Sequence, residues 1–409
     1  MLRINPFAAI RPQPNLASRV ASVPYDVVNS AEARELAKDN PLSFLHVVKP
    51  EIDLPPETDL YDDSVYAKAR ENLDRFIAEG TLIREGQPKL YLYRQVMDHR
   101  PQIGIVCCCH IDDYANDLIK KHEKTRREKE DDRTRHVITL NANTGPVFLT
   151  YRDRAEIAAM VERDTNARPL YHFDAPDGVT HTVWTAEDPE AYVEAFKQVP
   201  CAYVADGHHR SASAARAGAE RRQANPDHTG QEEYNWFLTV LFPARQLHIL
   251  PYNRVVKDLN NQTPLKVLKR LGELGRLKET EDPSPDRPGV FCFYIDGVWH
   301  RLEIKESLID DSDPVGSLDV AVLQDRVLGP IFAIDDPRTS DRIDFVGGIR
   351  GTGELEKRVN SGDAAAGISL HPTTIDQLLN VADAGLIMPP KSTWFEPKLR
   401  SGLFVHSLD

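Results

Sequence analysis

The residues best suited to chemistry lie in one short stretch, Asp206–Ser211, which reads Asp-Gly-His-His-Arg-Ser. An apolar run, Cys201–Ala205, precedes it, and an alanine-rich run, Ser211–Arg222, follows it. This pattern predicts a strand, a tight turn at Gly207 and then a helix. The first N–H groups of a helix have no partner within the helix, and the helix dipole favours an anion beside them. The stretch therefore predicts a phosphate-binding turn.

The side chains of this turn suit the same chemistry. Arginine is a bidentate donor to phosphate, and a serine adds a hydroxyl. Neighbouring histidines can donate to phosphate oxygens or carry a proton. The alternatives are an aspartate that only caps the helix and a metal site. Metal binding is the weaker of these, because zinc-binding helices place their histidines four residues apart. We expect phosphate binding by Asp206, Gly207, Arg210 and Ser211, catalysis by His208 and His209, and no protein-held metal.

A second charged stretch, Lys120–Arg133, contains our candidate for the general base. Glu123 lies among cations and follows a predicted strand. Its carboxylate could accept a proton while its neighbours hold phosphate. The alternative is a solvated, charged helix. The residues of this stretch that we expect to bind substrate are His122, Lys124, Thr125 and Arg133.

Two stretches near the chain ends add further candidates. Asp26, in Ser22–Val28, is the alternative catalytic carboxylate. Near the C-terminus, a donor set follows two prolines and precedes two aromatic residues, so we expect this tail to dock back on the active site. The alternative is a tail that only packs, and it lacks the glycine-rich lead of a P-loop. The tail residues expected to bind phosphate are Lys391, Ser392 and Thr393.

The elements that must position these residues mix helices and strands without a regular alternation. Strands are predicted over Leu90–Val96 and Ile103–Ile111, and a helix over Tyr61–Glu79. We also predict a short strand at Ser43–Val48 and a helix at the start of Asp117–Arg135. The pattern favours an α+β fold with mixed sheets over a doubly wound parallel sheet.

The Pro- and Asp-rich stretch Asp282–Pro288 is the predicted linker. It divides the chain into an N-terminal and central α+β region, residues 1–280, and a C-terminal α+β region, residues 289–409. The phosphate-binding core is expected in the first region, and the tail belongs to the second.

Composition restricts the class of protein. The 409 residues carry 63 acidic and 50 basic side chains, a formal charge of −13, which disfavours nucleic-acid binding. No run approaches the roughly 18 apolar residues of a membrane span. Three of the five cysteines are consecutive, Cys107–Cys109, which suits neither a disulfide framework nor a CxxC metal site. A buried strand with reduced thiols is expected, and reduced thiols indicate the cytoplasm.

Four motifs together carry a resemblance to a known family. They are Val23-Pro-Tyr-Asp-Val, His122-Glu-Lys-Thr, Asp206-Gly-His-His-Arg and Met388-Pro-Pro-Lys-Ser-Thr-Trp-Phe-Glu-Pro-Lys. In combination they resemble the prokaryotic family called domain of unknown function 1015, over residues 24–403. Members of that family are often labelled ParB-like.

The Asp-Gly-His-His-Arg core is also similar to free-serine kinases of the ParB/sulfiredoxin-like superfamily. This resemblance implies a ParB/sulfiredoxin-like core that carries the strand-to-helix turn. It also implies that Asp206 to Arg210 bind donor phosphates and that a glutamate elsewhere is the catalytic base. No local motif aligns that glutamate, so Glu123 is our choice and Asp26 its rival.

The sequence thus predicts a cytoplasmic, Mg²⁺-assisted phosphotransferase that acts on a small hydroxyl compound, with free serine first. The phosphoryl donor is ATP, ADP or pyrophosphate. The alternatives are a ParB-like nucleotide-binding module without kinase activity and a phosphatase that uses the same anion pocket. The expected partners are the small-molecule substrate and the donor, with no nucleic acid and no membrane. A homodimer is one option for the assembly.

Overall fold

The computed structural model describes residues 1–409 and contains two compact units. The first unit comprises Met1–Leu247 and Pro397–Asp409, and the second comprises His248–Glu396. The division therefore differs from the predicted boundary near residues 280–289. The stretch 282–288 lies between two strands of one sheet in the second unit. Its composition signals a loop, but composition does not distinguish a loop within a sheet from a link between domains.

The elements are numbered here in chain order. The strands are β1 Ile4–Asn5, β2 Ile10–Pro12, β3 Leu82–Arg84, β4 Tyr91–Met97, β5 Arg100–His110, β6 Ile119–Lys120, β7 Ala142–Asn143, β8 Val147–Tyr151, β9 Tyr171–Asp174, β10 Thr180–Thr185, β11 Ala202–Asp206, β12 Trp236–Pro243, β13 His248–Leu250, β14 Tyr252–Val256, β15 Gly275–Glu279, β16 Val290–Ile295, β17 Val298–Ile304, β18 Ile343–Gly347, β19 Ala366–Leu370, β20 Trp394–Glu396 and β21 His406–Ser407. The α-helices are α1 Ala17–Val20, α2 Ser30–Ala37, α3 Leu45–Val48, α4 Asp63–Ala78, α5 Ile111–Ala115, α6 Arg127–Leu140, α7 Ala155–Asp164, α8 Pro189–Phe196, α9 His208–Ala224, α10 Pro264–Leu274, α11 Asp319–Leu323, α12 Gly353–Asn360 and α13 Ile375–Asp383. None of the helices is long and apolar enough to cross a membrane.

A nine-stranded mixed sheet forms the centre of the first unit. Its order is β6-β11-β8-β12-β5-β4-β10-β9, and β1 pairs with β5. The pairs β6–β11 and β8–β12 are parallel, and the other pairs are antiparallel. The central strand β5 contains the three consecutive cysteines, which are buried free thiols. This sheet holds β11 between β6 and β8, and thereby fixes the position of the turn at Gly207.

The second unit is built on a six-stranded sheet of order β15-β17-β16-β19-β14-β18. All of its pairings are antiparallel. Together with the mixed sheet and the helices of the first unit, this arrangement confirms the predicted α+β class. The ParB/sulfiredoxin-like core stays a prediction.

Two predicted elements are wrong. Ser43–Val48 is not a strand: Leu45–Val48 forms the short helix α3, whose apolar residues pack in the same core cluster as residues of α4. A short apolar run fits either state, and its tertiary environment decides between them. The start of Asp117–Arg135 is not helical either. It holds β6, and the helix begins only at Arg127, because Ile119 and Lys120 pair with the distant strand β11.

Candidate active site

The turn between β11 and α9 has the geometry that its glycine predicts. Asp206 ends the strand, Gly207 has φ +93°, and α9 begins at His208. No side chain caps the start of this 17-residue helix, which leaves the end of the helix dipole open to an anion. A Cβ at Gly207 would lie 3.1 Å from Nε of Arg210. Glycine is therefore favoured both by the left-handed backbone and by the close approach of the arginine.

A pair of buried histidines lies next to this turn. The ring centroids of His208 and His122 are 4.5 Å apart and the rings are nearly perpendicular. Both side chains are buried. Burial lowers the pKa of His208 to about 4 and that of His122 to about 3, where the neighbouring His208 adds to the effect. Both rings are therefore neutral near pH 7. Nε2 of His208 is buried and has no hydrogen-bond partner in the protein, so its hydrogen-bonding capacity is available to a bound ligand.

Glu123 lies beside the same histidine. It belongs to the loop that connects β6 with α6, and the parallel pairing of Ile119 with Ala202 holds that loop next to the end of β11. The Glu123 carboxylate lies 4.0 Å from Nδ1 of His208, with 38% of its side chain exposed. The carboxylate is thus reachable from solvent and lies next to the uncapped helix end.

His209 is held by the same loop. Its Nε2 accepts a hydrogen bond from the backbone N–H of Arg126, at 3.1 Å. Nε2 must then be unprotonated, so the proton of the neutral ring lies on Nδ1. The helix end and the loop that carries Glu123 are therefore joined by a direct contact.

Four side chains of alternating charge contact one another beside the turn. Arg210 contacts Asp206 at 3.0 Å and Asp26 at 3.7 Å, and Lys398 Nζ lies 3.2 Å from the other oxygen of Asp206. Arg210 also donates to the carbonyl of Pro146, at 2.6 Å.

The pKa shifts within this group of side chains follow from its geometry. Burial alone would raise the pKa of Asp206, but Lys398 and Arg210 hold it well below its usual value. Burial works against the protonated form of Arg210, yet Asp26 and Asp206 raise its pKa above the usual value. Asp206 and Arg210 therefore remain charged across the physiological pH range.

Asp26 and Lys398 lie in an N-terminal and a C-terminal segment that pair with each other. Ser22 and Ser401 exchange backbone hydrogen bonds of 3.0 and 2.9 Å, which places the segment after Ser22 next to the last residues of the chain. Lys398 belongs to the tail that was expected to dock back on the active site, but its contact with Asp206 was not predicted. The sequence gives no local signal for it, since 192 positions separate it from Asp206.

The residues expected to bind substrate differ in their surroundings. Lys124 is exposed in the loop before α6. The Thr125 hydroxyl donates to Glu130 at 3.0 Å. Arg133 lies over the ring of Tyr25, 4.3 Å from its centroid, and is ion-paired with Asp132. Of the four, His122 makes the direct contact with the turn described above.

The remaining candidates have other partners. The Ser211 hydroxyl is fully buried and donates to the carbonyl of Gly207, at 3.1 Å, so it stabilises the first turn of α9. The other three expected phosphate ligands lie in the second unit. There the ammonium of Lys391 lies 5.5 Å from the centroid of the Tyr252 ring, and the hydroxyl of Ser392 donates to the carbonyl of Pro389. Thr373 donates to the carbonyl of Ser392, which precedes Thr393.

Comparisons with known proteins agree with the resemblance. The sequence profile of a family described as "Protein of unknown function (DUF1015)" matches residues 4–321. No curated protein matches the chain.

Several solved structures align with the chain at low similarity. A free serine kinase in complex with AMP aligns at 12% identity and a TM-score of 0.36, over 74% of this chain and 91% of the kinase. A conserved hypothetical protein from Pyrococcus furiosus aligns at 13% identity and a TM-score of 0.36, over 76% and 97%. SbnI with a C-terminal truncation, from Staphylococcus aureus, aligns at 11% identity and a TM-score of 0.39, over 74% and 87%. These TM-scores are too low to transfer any property to this chain.

Proposed function

The chain belongs to the DUF1015 family, and we propose that it is a phosphotransferase that acts on a small hydroxyl compound, with free serine as the first acceptor to test. One observation supports this proposal above the others. The uncapped start of α9 lies beside a buried, neutral His208 with an unpartnered Nε2 and beside the carboxylate of Glu123. Phosphoryl transfer needs positioning and charge stabilisation more than covalent chemistry, and this arrangement provides both.

In this proposal the donor phosphates bind at the start of α9. The backbone N–H groups of His208, His209 and Arg210 approach the phosphate oxygens, and the helix dipole adds to the attraction. Asp206 is a carboxylate and would repel phosphate, so its role is to position the turn through Arg210 and Lys398. Lys391, Ser392 and Thr393 stay predicted phosphate ligands.

Glu123 is the proposed general base. A carboxylate that accepts the proton of the acceptor hydroxyl as the bond to phosphorus forms contributes typically about 10²–10⁴-fold to the rate. The negative charge of Glu123 favours the proton of His208 on the neighbouring Nδ1, which leaves Nε2 as a hydrogen-bond acceptor for another donor group of the bound ligand. Asp26 remains the rival base, although its position near Arg210 suits a supporting role better.

A magnesium ion fits this site only together with donor phosphates. No group of three or more His, Cys, Asp or Glu side chains in the structure could hold a metal ion. Mg²⁺ usually keeps several waters and takes one or two carboxylates plus substrate phosphates. Asp26, which is exposed, is the residue that would contribute such a carboxylate. The bound ion would neutralise charge on the phosphates.

Transfer assays with matched variants test the proposal. The full chain is incubated with Mg²⁺ and ATP, ADP or pyrophosphate, and L-serine is the first of a panel of hydroxyl acceptors, with products read by phosphorus NMR. Glu123→Gln should lower the transfer rate by about 10²–10⁴-fold and leave ADP affinity unchanged. Glu128→Gln, an identical change at an exposed position in the first turn of α6, should have no effect.

The alternatives give different results in this assay and in a parallel assay with phosphoserine as the substrate. Hydrolysis of phosphoserine without transfer to any acceptor would replace the proposal with a phosphatase. Nucleotide binding without turnover would replace it with a ParB-like binding module. Equal rates for Glu123→Gln and Glu128→Gln would remove Glu123 as the base.

A further inference from the structure

A small, partly open cavity lies in the first unit, next to Arg210. Its volume is about 40 Å³. A polar cavity needs roughly 10–15 Å³ to hold one water molecule, so this one has room for a group the size of a carboxylate or a phosphate. Residues from α6 and α9, from the segment before β8 and from both chain ends line it.

The charged side chains of the cavity wall are both cationic. Arg133 and Arg210 line the cavity, and no aspartate or glutamate does. The carboxylates that pair with these arginines, Asp132, Asp206 and Asp26, lie outside the wall. The two cations are therefore held in place while the cavity itself contains no negative charge.

One donor of a residue that lines the cavity has no partner. Nε of Arg210 is buried without a hydrogen-bond acceptor, and only 10% of the arginine side chain is exposed. A buried donor without a partner costs roughly 1–3 kcal/mol, more when it is charged. An acceptor oxygen of a ligand within reach of this Nε would recover that energy.

The other polar groups of the wall include further donors. Tyr25 lines the cavity beneath the Arg133 guanidinium, and burial raises the pKa of its hydroxyl, so the hydroxyl stays protonated. Thr144 and Ser401 add hydroxyls. Most of the wall is apolar, and the guanidinium and hydroxyl groups of its polar residues are the kinds of donor that bind carboxylate and phosphate groups.

We infer that this cavity, which shares Arg210 with the first turn of α9, binds a compact oxyanion, a carboxylate or a phosphate group. Its ligand would be either the carboxylate of a small molecule or a free phosphate ion. The inference does not depend on phosphoryl transfer, because it follows from the wall of the cavity alone.

Calorimetric titration of the full chain with acetate, acetamide and inorganic phosphate tests the site. Acetamide has the shape of acetate without its charge, so only acetate should bind if the cavity takes carboxylates. Arg133→Gln should weaken the binding of the oxyanion by roughly 10–150-fold, the equivalent of losing a hydrogen bond to a charged group. Arg127→Gln removes the same charge from the same helix at a side chain that is 94% exposed, and it should bind like the wild type.

A second variant protects the test against misfolding, because Arg133→Gln leaves the buried Asp132 without its cation. Tyr25→Phe removes one donor and no charge, and it should weaken binding as well. Binding of acetate alone would identify a carboxylate site. Binding of phosphate alone, lost in Arg133→Gln, would identify a phosphate site.

Other outcomes would overturn the inference. The first is that acetate and acetamide both bind, with equal affinity. The second is that Arg133→Gln and Arg127→Gln bind the oxyanion equally well. The third is that neither acetate nor phosphate binds. If the cavity binds an oxyanion but the chain transfers no phosphate, only the proposed function fails.

Discussion

Lys398 is the residue whose replacement tests the architecture of the site most sharply. Its ammonium lies 3.2 Å from Asp206, and the two side chains are only 13% and 27% exposed. Lys398→Met keeps most of the apolar stem and removes the charge. Asp206 then retains a single cationic partner, Arg210, at 3.0 Å.

The expected cost follows from this geometry. A hydrogen bond between charged groups contributes about 1.5–3 kcal/mol, whereas removing one partner of a fully buried pair costs about 3–5 kcal/mol. Asp206 is partly exposed and keeps Arg210, so the lower range applies. Lys398→Met should lower the free energy of unfolding of the first unit by about 1.5–3 kcal/mol at pH 7.

The cost should also depend on pH with a defined sign. The folded pKa of Asp206 is depressed, so its stabilising contribution is complete above the unfolded pKa, about 4, and is lost as the pH falls through the folded pKa. Lys398→Met raises the folded pKa of Asp206 towards its ordinary value. The difference in stability between wild type and variant should therefore shrink as the pH falls below about 4.

Urea unfolding followed by near-ultraviolet circular dichroism, repeated from pH 7 to pH 3, measures this difference. Lys398→Arg keeps the charge and should recover most of the stability. Lys38→Met makes the same change at a lysine whose side chain is 65% exposed and should cost little. If Lys398→Met is as stable as the wild type, or if its loss of stability does not change with pH, then Lys398 does not stabilise the charged form of Asp206.

Three further predictions concern the turn, the histidines and the tail. Gly207→Ala should lower the melting temperature more than Gly178→Ala, because both have positive φ but only the first meets a neighbour within 4 Å; equal shifts would remove the contact as a cause. Since burial lowers the pKa of His208 to about 4, its ring should remain neutral at pH 6 in carbon NMR spectra. Stability should accordingly fall as the pH drops below the unfolded value of about 6.5, and a midpoint near 6.5 in the folded protein would contradict this. A chain that ends at Glu396 should fail to give a folded first unit in circular dichroism and proteolysis, because it lacks buried residues such as Phe404, each contributing about 1.5–3 kcal/mol. Removing Asp409 alone should be harmless.

The sequence predicted the turn between β11 and α9 because its signals are local. An apolar run, a glycine and an alanine-rich run follow one another within about twenty residues, and each restricts the backbone by itself. The structure places the strand, the positive φ of Gly207 and the helix in that order. Local signals of this kind need no knowledge of the rest of the chain.

The features that the sequence missed depend on contacts between distant residues. Lys120 was expected at the start of a helix, but it pairs in a strand with Tyr203. Lys398 reaches Asp206 only because the last residues of the chain bridge to Ser22. A single sequence contains no periodicity that reports such pairings, and tertiary contacts override local preference where the two conflict.

The same limit explains the domain boundary. The proline-rich stretch 282–288 has the composition of a linker, yet it connects β15 to β16 within one sheet. The compact units divide at Leu247 and again at Glu396. The second of these positions returns the chain to the first unit, which a division into consecutive segments could not anticipate.

A crystal structure of the full chain with Mg²⁺ and ADP would show whether donor phosphates bind at the start of α9. We expect the terminal phosphate of ADP to accept hydrogen bonds of about 2.7–3.2 Å from backbone N–H groups of His208 to Arg210. We also expect the Glu123 carboxylate to lie on the open side of that phosphate, with space for a small hydroxyl compound between them. A nucleotide whose phosphates bind away from the start of α9 would contradict the proposed donor site.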